Sequence, residues 1–154
     1  MNARSRSVPL PPMYSNPKPE RLASTEVAGQ TFMAFDFGIK RTGCAIGTRL
    51  LGTAQPLNTF SATGEALFER VACQIKAWQP DALVLGIPFY PDGTAHENTR
   101  RAKRFGRQLY GRFGLWVHEV DERYTTTEAT SLGAKDLDAA SACLIMEQFL
   151  RGLE

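Results

Sequence analysis

Residues 32–47, FMAFDFGIKRTGCAIG, decide the fold. They predict two short apolar strands joined by a tight turn, with one acid close to the end of the first strand. That acid, Asp36, lies between Phe35 and Phe37 on a strand that is apolar on both faces. A carboxylate is costly to remove from water unless a cation or hydrogen-bond donors meet it. Asp36 is therefore a candidate functional residue, and its partner has to be found elsewhere in the chain.

The remaining segments predict an α/β fold built on one sheet. Strands are predicted over 31–37, 42–48, 53–60, 82–87 and 115–120, and helices over 65–79, 97–113 and 138–150. The close spacing of the first three strands favours an antiparallel meander. Short right-handed crossovers make the last two strands parallel neighbours of the first. We expect a mixed five-stranded sheet with helices on both faces.

Length and composition indicate one soluble domain. The 154 residues are 43% hydrophobic and 22% charged, and no apolar run approaches the roughly 20 residues of a membrane span. Residues 1–29 are rich in proline and lack hydrophobic periodicity, which predicts a disordered tail before a domain at 30–154. The tail also carries the net charge of +2, so the predicted domain is neutral overall. Three dispersed cysteines favour the reducing cytoplasm.

Acids end the first and last strands and begin the last helix. Asp36 ends the first strand, Asp121 and Glu122 end the fifth, and Asp138 lies in the first turn of the last helix, on its predicted buried stripe. Converging carboxylates repel one another unless a cation lies among them, and Mg²⁺ or Mn²⁺ prefers such oxygen ligands. Taken singly, Asp138 could instead cap its helix, and Asp121 or Glu122 could pair with Arg123.

Four motifs, in order along the chain, resemble the YqgF family of pre-16S rRNA nucleases, which are related to Holliday-junction resolvases and have an RNase H-like fold. The motifs are FDFGIKRTGCAIG, LVLGIPFYPDGTAHENTRRAKRF, VDERYTTTEA and LDAASACLIMEQFL. The resemblance covers Thr31 to Leu150 and implies that Asp36, Glu122 and Asp138 are the metal-binding catalytic set.

The resemblance also implies that Lys40 and Arg41 meet substrate phosphates. One departure is the short link before the last helix, which places Asp136 close enough to Asp138 to compete for the third position. Thr125, Thr126 and Glu128 of the TTTEA segment are expected to cap a turn of helix.

A basic helix follows the PDGT loop. Arg100, Arg104 and Arg107 share one helical face, opposite an apolar stripe, and such a face could hold the phosphates of a nucleic acid or simply be solvated. Arg123 is expected to hold the acids in position or to neutralise them when metal is absent, and it is also a predicted substrate-binding residue. His96 could contact substrate, whereas His118 on a strand is expected to be structural.

The function expected from these features is a metal-dependent endonuclease on structured RNA. The resemblance implies that the substrate is the 5′ end of pre-16S rRNA within ribosomal subunit precursors. The alternatives are a resolvase acting on branched DNA and a non-catalytic RNA-binding factor in ribosome assembly. AFDFGIKRTGCAIG also resembles the phosphate loop of sugar kinases and actin-like ATPases. Those proteins close two lobes over a nucleotide, and this chain has room for one lobe.

Overall fold

The computed structural model describes residues 30–124 and 137–153. The predicted tail at 1–29, the predicted cap at Thr125, Thr126 and Glu128, and the competing acid Asp136 lie outside the described residues. Within the described part of the chain, no helix has the length and apolar character needed to cross a bilayer.

The described elements follow the predicted order of three strands, helix, strand, helix, strand and helix. Their bounds are β1 Thr31–Phe37, β2 Thr42–Thr48, β3 Ala54–Phe60, α1 Gly64–Trp78, β4 Ala82–Ile87, α2 Glu97–Phe113, β5 Val117–Asp121 and α3 Leu137–Arg151. The fifth strand begins two residues later than predicted. Gly114 ends α2 in a left-handed conformation, φ 66°, and Leu115 then packs into the core before strand pairing starts.

The five strands form one mixed sheet in the order β3-β2-β1-β4-β5. The first three are antiparallel neighbours, and β4 lies parallel to both β1 and β5. The predicted meander and the predicted parallel pairs are confirmed. Because β1, β4 and β5 are parallel, their carboxyl ends meet at one edge of the sheet, where Asp36 and Glu122 are found.

Side-chain alternation along β1 divides the core into two layers. Met33 and Phe35 pack beneath α1 and α2, whereas Phe32 and Ala34 pack against α3. The central strand β4 is buried at every position, as its continuous apolar sequence ALVLGI predicts for a strand covered on both faces. Helices thus cover both faces of the sheet, as expected, and Asp36 falls on the α3 face by the same alternation.

Candidate active site

Asp36 lies half-buried at the end of β1, beneath the start of α3. Its cross-strand neighbour on β2 is Gly43. A methyl group at Gly43 would collide with the backbone of Asp138. The glycine therefore lets the first turn of α3 lie directly against the sheet, next to the Asp36 carboxylate.

Glu122 reaches Asp36 across the central strand. It follows β5 directly and opens a short 3-10 turn, Glu122–Tyr124. Its side chain lies over Gly86 of β4, where an added Cβ would be 2.8 Å from both Cγ and Oε2 of Glu122. Because β4 lies between β1 and β5, the missing side chain at Gly86 opens the path between the two acids. The carboxyl groups of Asp36 and Glu122 are hydrogen-bonded to each other.

Burial raises the pKa of both carboxyl groups. The pKa of Glu122 rises to about 9, first because of burial, then because of the negative charge of Asp36 and the hydrogen bond to it. Burial also raises the pKa of Asp36 to about 6, while the hydrogen bond with Glu122 opposes the rise and the charge of Asp138 adds to it. Near pH 7 we therefore expect the pair to share one proton, and Glu122 is the member whose pKa is raised further.

Ser141 is a site residue that the sequence reasoning missed. It lies on α3, one turn after Asp138, and its nearly buried side chain donates a hydrogen bond to the Asp36 carboxylate. Ser141 could have been found from its position three residues after Asp138, because residues three apart share a helical face. Asp36 therefore meets two donors, the Glu122 carboxyl and the Ser141 hydroxyl.

Asp138 lies near the pair but faces a different partner. Arg41, in the turn after β1, donates from Nε to Oδ2 of Asp138 at 3.0 Å, with side chains 61% and 35% exposed. Asp138 was predicted to lie on the buried stripe of α3. The fully buried part of that stripe runs through Ala142 and Ile145, and Asp138 lies at its exposed edge. An ion pair this exposed is worth about 1 kcal/mol or less, so it does not lock Asp138 in place.

Two of the three predicted metal ligands thus lie in contact. Within residues 30–124 and 137–153, no three His, Cys, Asp or Glu side chains are grouped so that they could hold one ion. The charge of Asp138 nevertheless acts on Asp36. Asp36 and Glu122 fit a hard divalent cation in donor type, since both offer carboxylate oxygens and one of them retains a proton that a cation could replace.

Arg123 joins the end of β5 to the loop after β4. Its guanidinium binds Asp121, at 2.8 Å from Nη2 to Oδ2, and donates from Nη1 to the carbonyl of Pro91 at 3.2 Å. The hydrogen bonds that Asp121 accepts from the side chain and the amide of Arg123 lower its pKa. The sequence left open whether Asp121 or Glu122 pairs with Arg123. Asp121 forms that ion pair, and Glu122 contacts Asp36 instead.

The predicted basic face is exposed on α2. Arg100, Arg104 and Arg107 point to solvent while Ala102 and Phe105 are buried, as the helical spacing predicts. Arg100 is partly neutralised by Glu97, at 2.8 Å. Lys40 is likewise exposed in the turn that carries Arg41.

The two histidines have structural contacts. His96 is the N-cap of α2, where its Nδ1 accepts from the amide of Asn98 and its own amide donates to Thr99. His118 packs against the rings of Phe32 and Phe149, and burial lowers its pKa to about 4. His118 therefore fits the structural role expected from the sequence.

Sequence comparison shows the relatives of this chain. A family model described as "RuvX: Holliday junction resolvase" matches residues 30–152. A protein of Albidiferax ferrireducens named "Putative pre-16S rRNA nuclease" is 66% identical over 124 residues, which are 80% of each chain. A Polaromonas protein of the same name is 64% identical over 124 residues, covering 80% of this chain and 90% of its own.

Structural comparison gives the same fold. Thermus thermophilus RuvC, in a complex with a Holliday junction substrate, matches with a TM-score of 0.55 at 15% identity, over 80% of this chain and 95% of its own. At that identity the similarity establishes the RNase H-like fold alone. The extent of the family match and the identity of the relatives, together with the fold, show that this chain belongs to the RuvX (YqgF) family of Holliday junction resolvases.

Proposed function

We propose that the chain is a metal-dependent endonuclease that hydrolyses phosphodiester bonds of structured nucleic acid, with residues 30–154 as the nuclease domain. The observation that carries the proposal is the contact between the carboxyl groups of Asp36 and Glu122, which are partly buried at the carboxyl edge of the sheet, where burial raises the pKa of both. Holding two carboxyl groups together away from water is costly, which is typical of a functional site. Relatives named as nucleases support the same reaction class.

The proposed cofactor is Mg²⁺ or Mn²⁺. Asp36 and Glu122 would hold the ion, and Asp138 would join them after leaving Arg41. Such an ion activates water for attack on phosphorus and stabilises the leaving oxygen. Binding would release the proton of Glu122, so we expect metal affinity to rise with pH.

The chain's own basic residues would hold the substrate. Lys40 and Arg41 project from the turn beside the acids, and Arg100, Arg104 and Arg107 present exposed guanidinium groups on α2. Contacts of this kind bind the phosphate chain without reading its sequence. Arg123 stays a predicted substrate-binding residue, and its bonds to Asp121 and Pro91 favour a positioning role for the adjoining loop.

The favoured substrate is precursor ribosomal RNA, cut at the 5′ end of pre-16S rRNA within ribosomal subunit precursors in the cytoplasm. The names of the Albidiferax and Polaromonas relatives support this substrate. A four-way DNA junction is the second candidate, because the matching family model carries the description of a Holliday junction resolvase.

A cleavage assay tests the proposal. Purified protein is incubated with precursor ribosomal RNA or a four-way DNA junction, with Mn²⁺ or with EDTA. We expect cutting only with metal, no cutting by Asp36→Asn, and unchanged cutting by Glu69→Gln, which alters an exposed acid on α1. Metal-independent binding of RNA by a protein that cuts neither substrate would instead identify a non-catalytic assembly factor.

A further inference from the structure

A small cleft shares one wall with the acid pair. It has a volume of about 260 Å³ and lies between the turn after β1, the residue after β4 and the first turns of α2. The lining has an apolar part and a polar part, which are formed by Phe37, Gly38, Ile39 and Pro88 and by Asn98, Arg101 and Glu122, respectively. Because Glu122 belongs both to this cleft and to the acid pair, whatever occupies the cleft lies next to the proposed cleavage site.

The lining combines an apolar surface with polar groups. Ile39 is 56% exposed, although Phe37 behind it is stacked on Phe105 with ring centroids 4.5 Å apart. A flat, partly apolar ligand could lie against these side chains. An exposed isoleucine alone would be unremarkable on a protein surface, but here it borders a cavity that also carries a cation.

The cation of the cleft has surface contacts of its own. Nη1 of Arg101 donates to Oδ1 of Asn98 at 3.1 Å, and Nη2 lies 3.7 Å from Glu97. These contacts are exposed and weak, so the guanidinium can turn to stack on a ligand or to donate to it. The Asn98 side chain accepts from Arg101 through its oxygen, which leaves its amide group to donate.

The size of the cleft suits one small planar group. Its volume is below the range of about 300–1,000 Å³ typical of sites for drug-sized ligands. A single unpaired base has the required shape, with a flat face for the apolar side and polar edges for Arg101 and Asn98.

We propose that the cleft binds one unpaired nucleobase of the substrate strand, directly beside the phosphodiester bond that is cut. The proposal rests on the nuclease function proposed above. It makes Ile39 and Arg101 specificity-determining residues, and it directs the enzyme to single-stranded or displaced nucleotides rather than to continuous duplex.

Equilibrium binding of two probes tests the cleft without cleavage. One probe is a short, end-labelled oligoadenylate, and the other is a ribose-phosphate strand of the same length without bases. Fluorescence anisotropy is measured in EDTA. We expect the wild type to bind oligoadenylate at least about fivefold more tightly, in keeping with the lower range of base-stacking contributions.

Four variants separate the cleft from general surface effects. Ile39→Ala and Arg101→Ala should reduce this preference for the base-carrying probe about fivefold, toward equal binding. The controls are Leu50→Ala, which removes an exposed leucine from the turn after β2, and Arg70→Ala, which removes an exposed arginine from α1. Both controls should keep the preference. Thermal melting checks that each variant is folded.

The outcomes distinguish this inference from the nuclease proposal. Equal binding of the two probes by the wild type, or equal losses for both probes in Ile39→Ala, would overturn the base site while leaving metal-dependent cleavage intact. A base preference that is lost in both cleft variants would support the site, even for a protein that cuts neither precursor RNA nor junction DNA.

Discussion

Replacing Glu122 by Gln should remove a pH dependence from the stability of the metal-free protein. Glu122 has a pKa of about 9 in the folded protein, against an ordinary value of 4.5. Between these values the folded protein keeps a proton that the unfolded chain has released. The stabilising contribution is therefore complete below pH 4.5 and is lost as the pH rises through 9. Gln is isosteric and its amide can still donate to Asp36, so the variant keeps the contact without titrating.

The expected size follows from one proton. A group protonated in the folded state alone changes the free energy of unfolding by about 1.4 kcal/mol per pH unit, or roughly 2 kcal/mol between pH 7 and 8.5. In that window Asp36, with a pKa of about 6, is already ionised in the folded protein. Cys44 and Cys143, whose pKa values burial raises to about 12 and 11, contribute in the same direction. Their contribution is common to wild type and variant and cancels in the difference.

The assay is urea unfolding in EDTA, followed by tryptophan fluorescence at several pH values. The wild type should lose stability as the pH rises, and Glu122→Gln should lose roughly 2 kcal/mol less between pH 7 and 8.5. Glu69→Gln, on the exposed side of α1, should behave like the wild type. Equal slopes for wild type and Glu122→Gln would refute the conclusion that Glu122 is the proton carrier of a buried pair.

Two further predictions concern the surroundings of the pair, and a third concerns the buried ring of His118. Arg41→Ala frees Asp138 from its 3.0 Å contact and should tighten Mn²⁺ binding up to about fivefold in calorimetry, whereas weaker binding would contradict a competition between Arg41 and the metal. Gly86→Ala places a methyl group against the side chain of Ile145 and 2.8 Å from Glu122, and it should lower the free energy of unfolding by about 1–3 kcal/mol in urea titrations; an unchanged midpoint would show that Ile145 and Glu122 move aside without cost. The His118 ring should stay neutral down to about pH 5 in an NMR titration, so its stabilising contribution is lost only as the pH falls from 6.5 toward 4, and a midpoint near 6.5 would be inconsistent with its burial.

The fold was predictable because its local signals agree with its long-range pairing. The strands around Asp36 are short apolar runs separated by turn residues, β4 is continuously apolar, and the three helices repeat apolar residues at helical spacing. The boundaries of β1, β2, β4 and α2 are those predicted. The later start of β5 was missed because Leu115 and Trp116 look like strand residues, although Leu115 packs in the core before pairing begins.

The site was only partly predictable. Convergence of Asp36 and Glu122 follows from the parallel strands, but the reason they touch is Gly86, which carries no chemical signal of its own. The partner of Asp138 could not be read from the sequence, because Arg41 lies 97 residues away and both side chains sit at an exposed edge. Side-chain direction at such an edge depends on weak contacts that periodicity does not encode.

The most direct test of the acid pair as a metal site is anomalous diffraction from crystals grown with Mn²⁺. A manganese peak in coordination with carboxylate oxygens of both Asp36 and Glu122 is expected, together with its disappearance in Asp36→Asn. Manganese bound only elsewhere, with Asp36 and Glu122 still hydrogen-bonded to each other, would contradict the proposal.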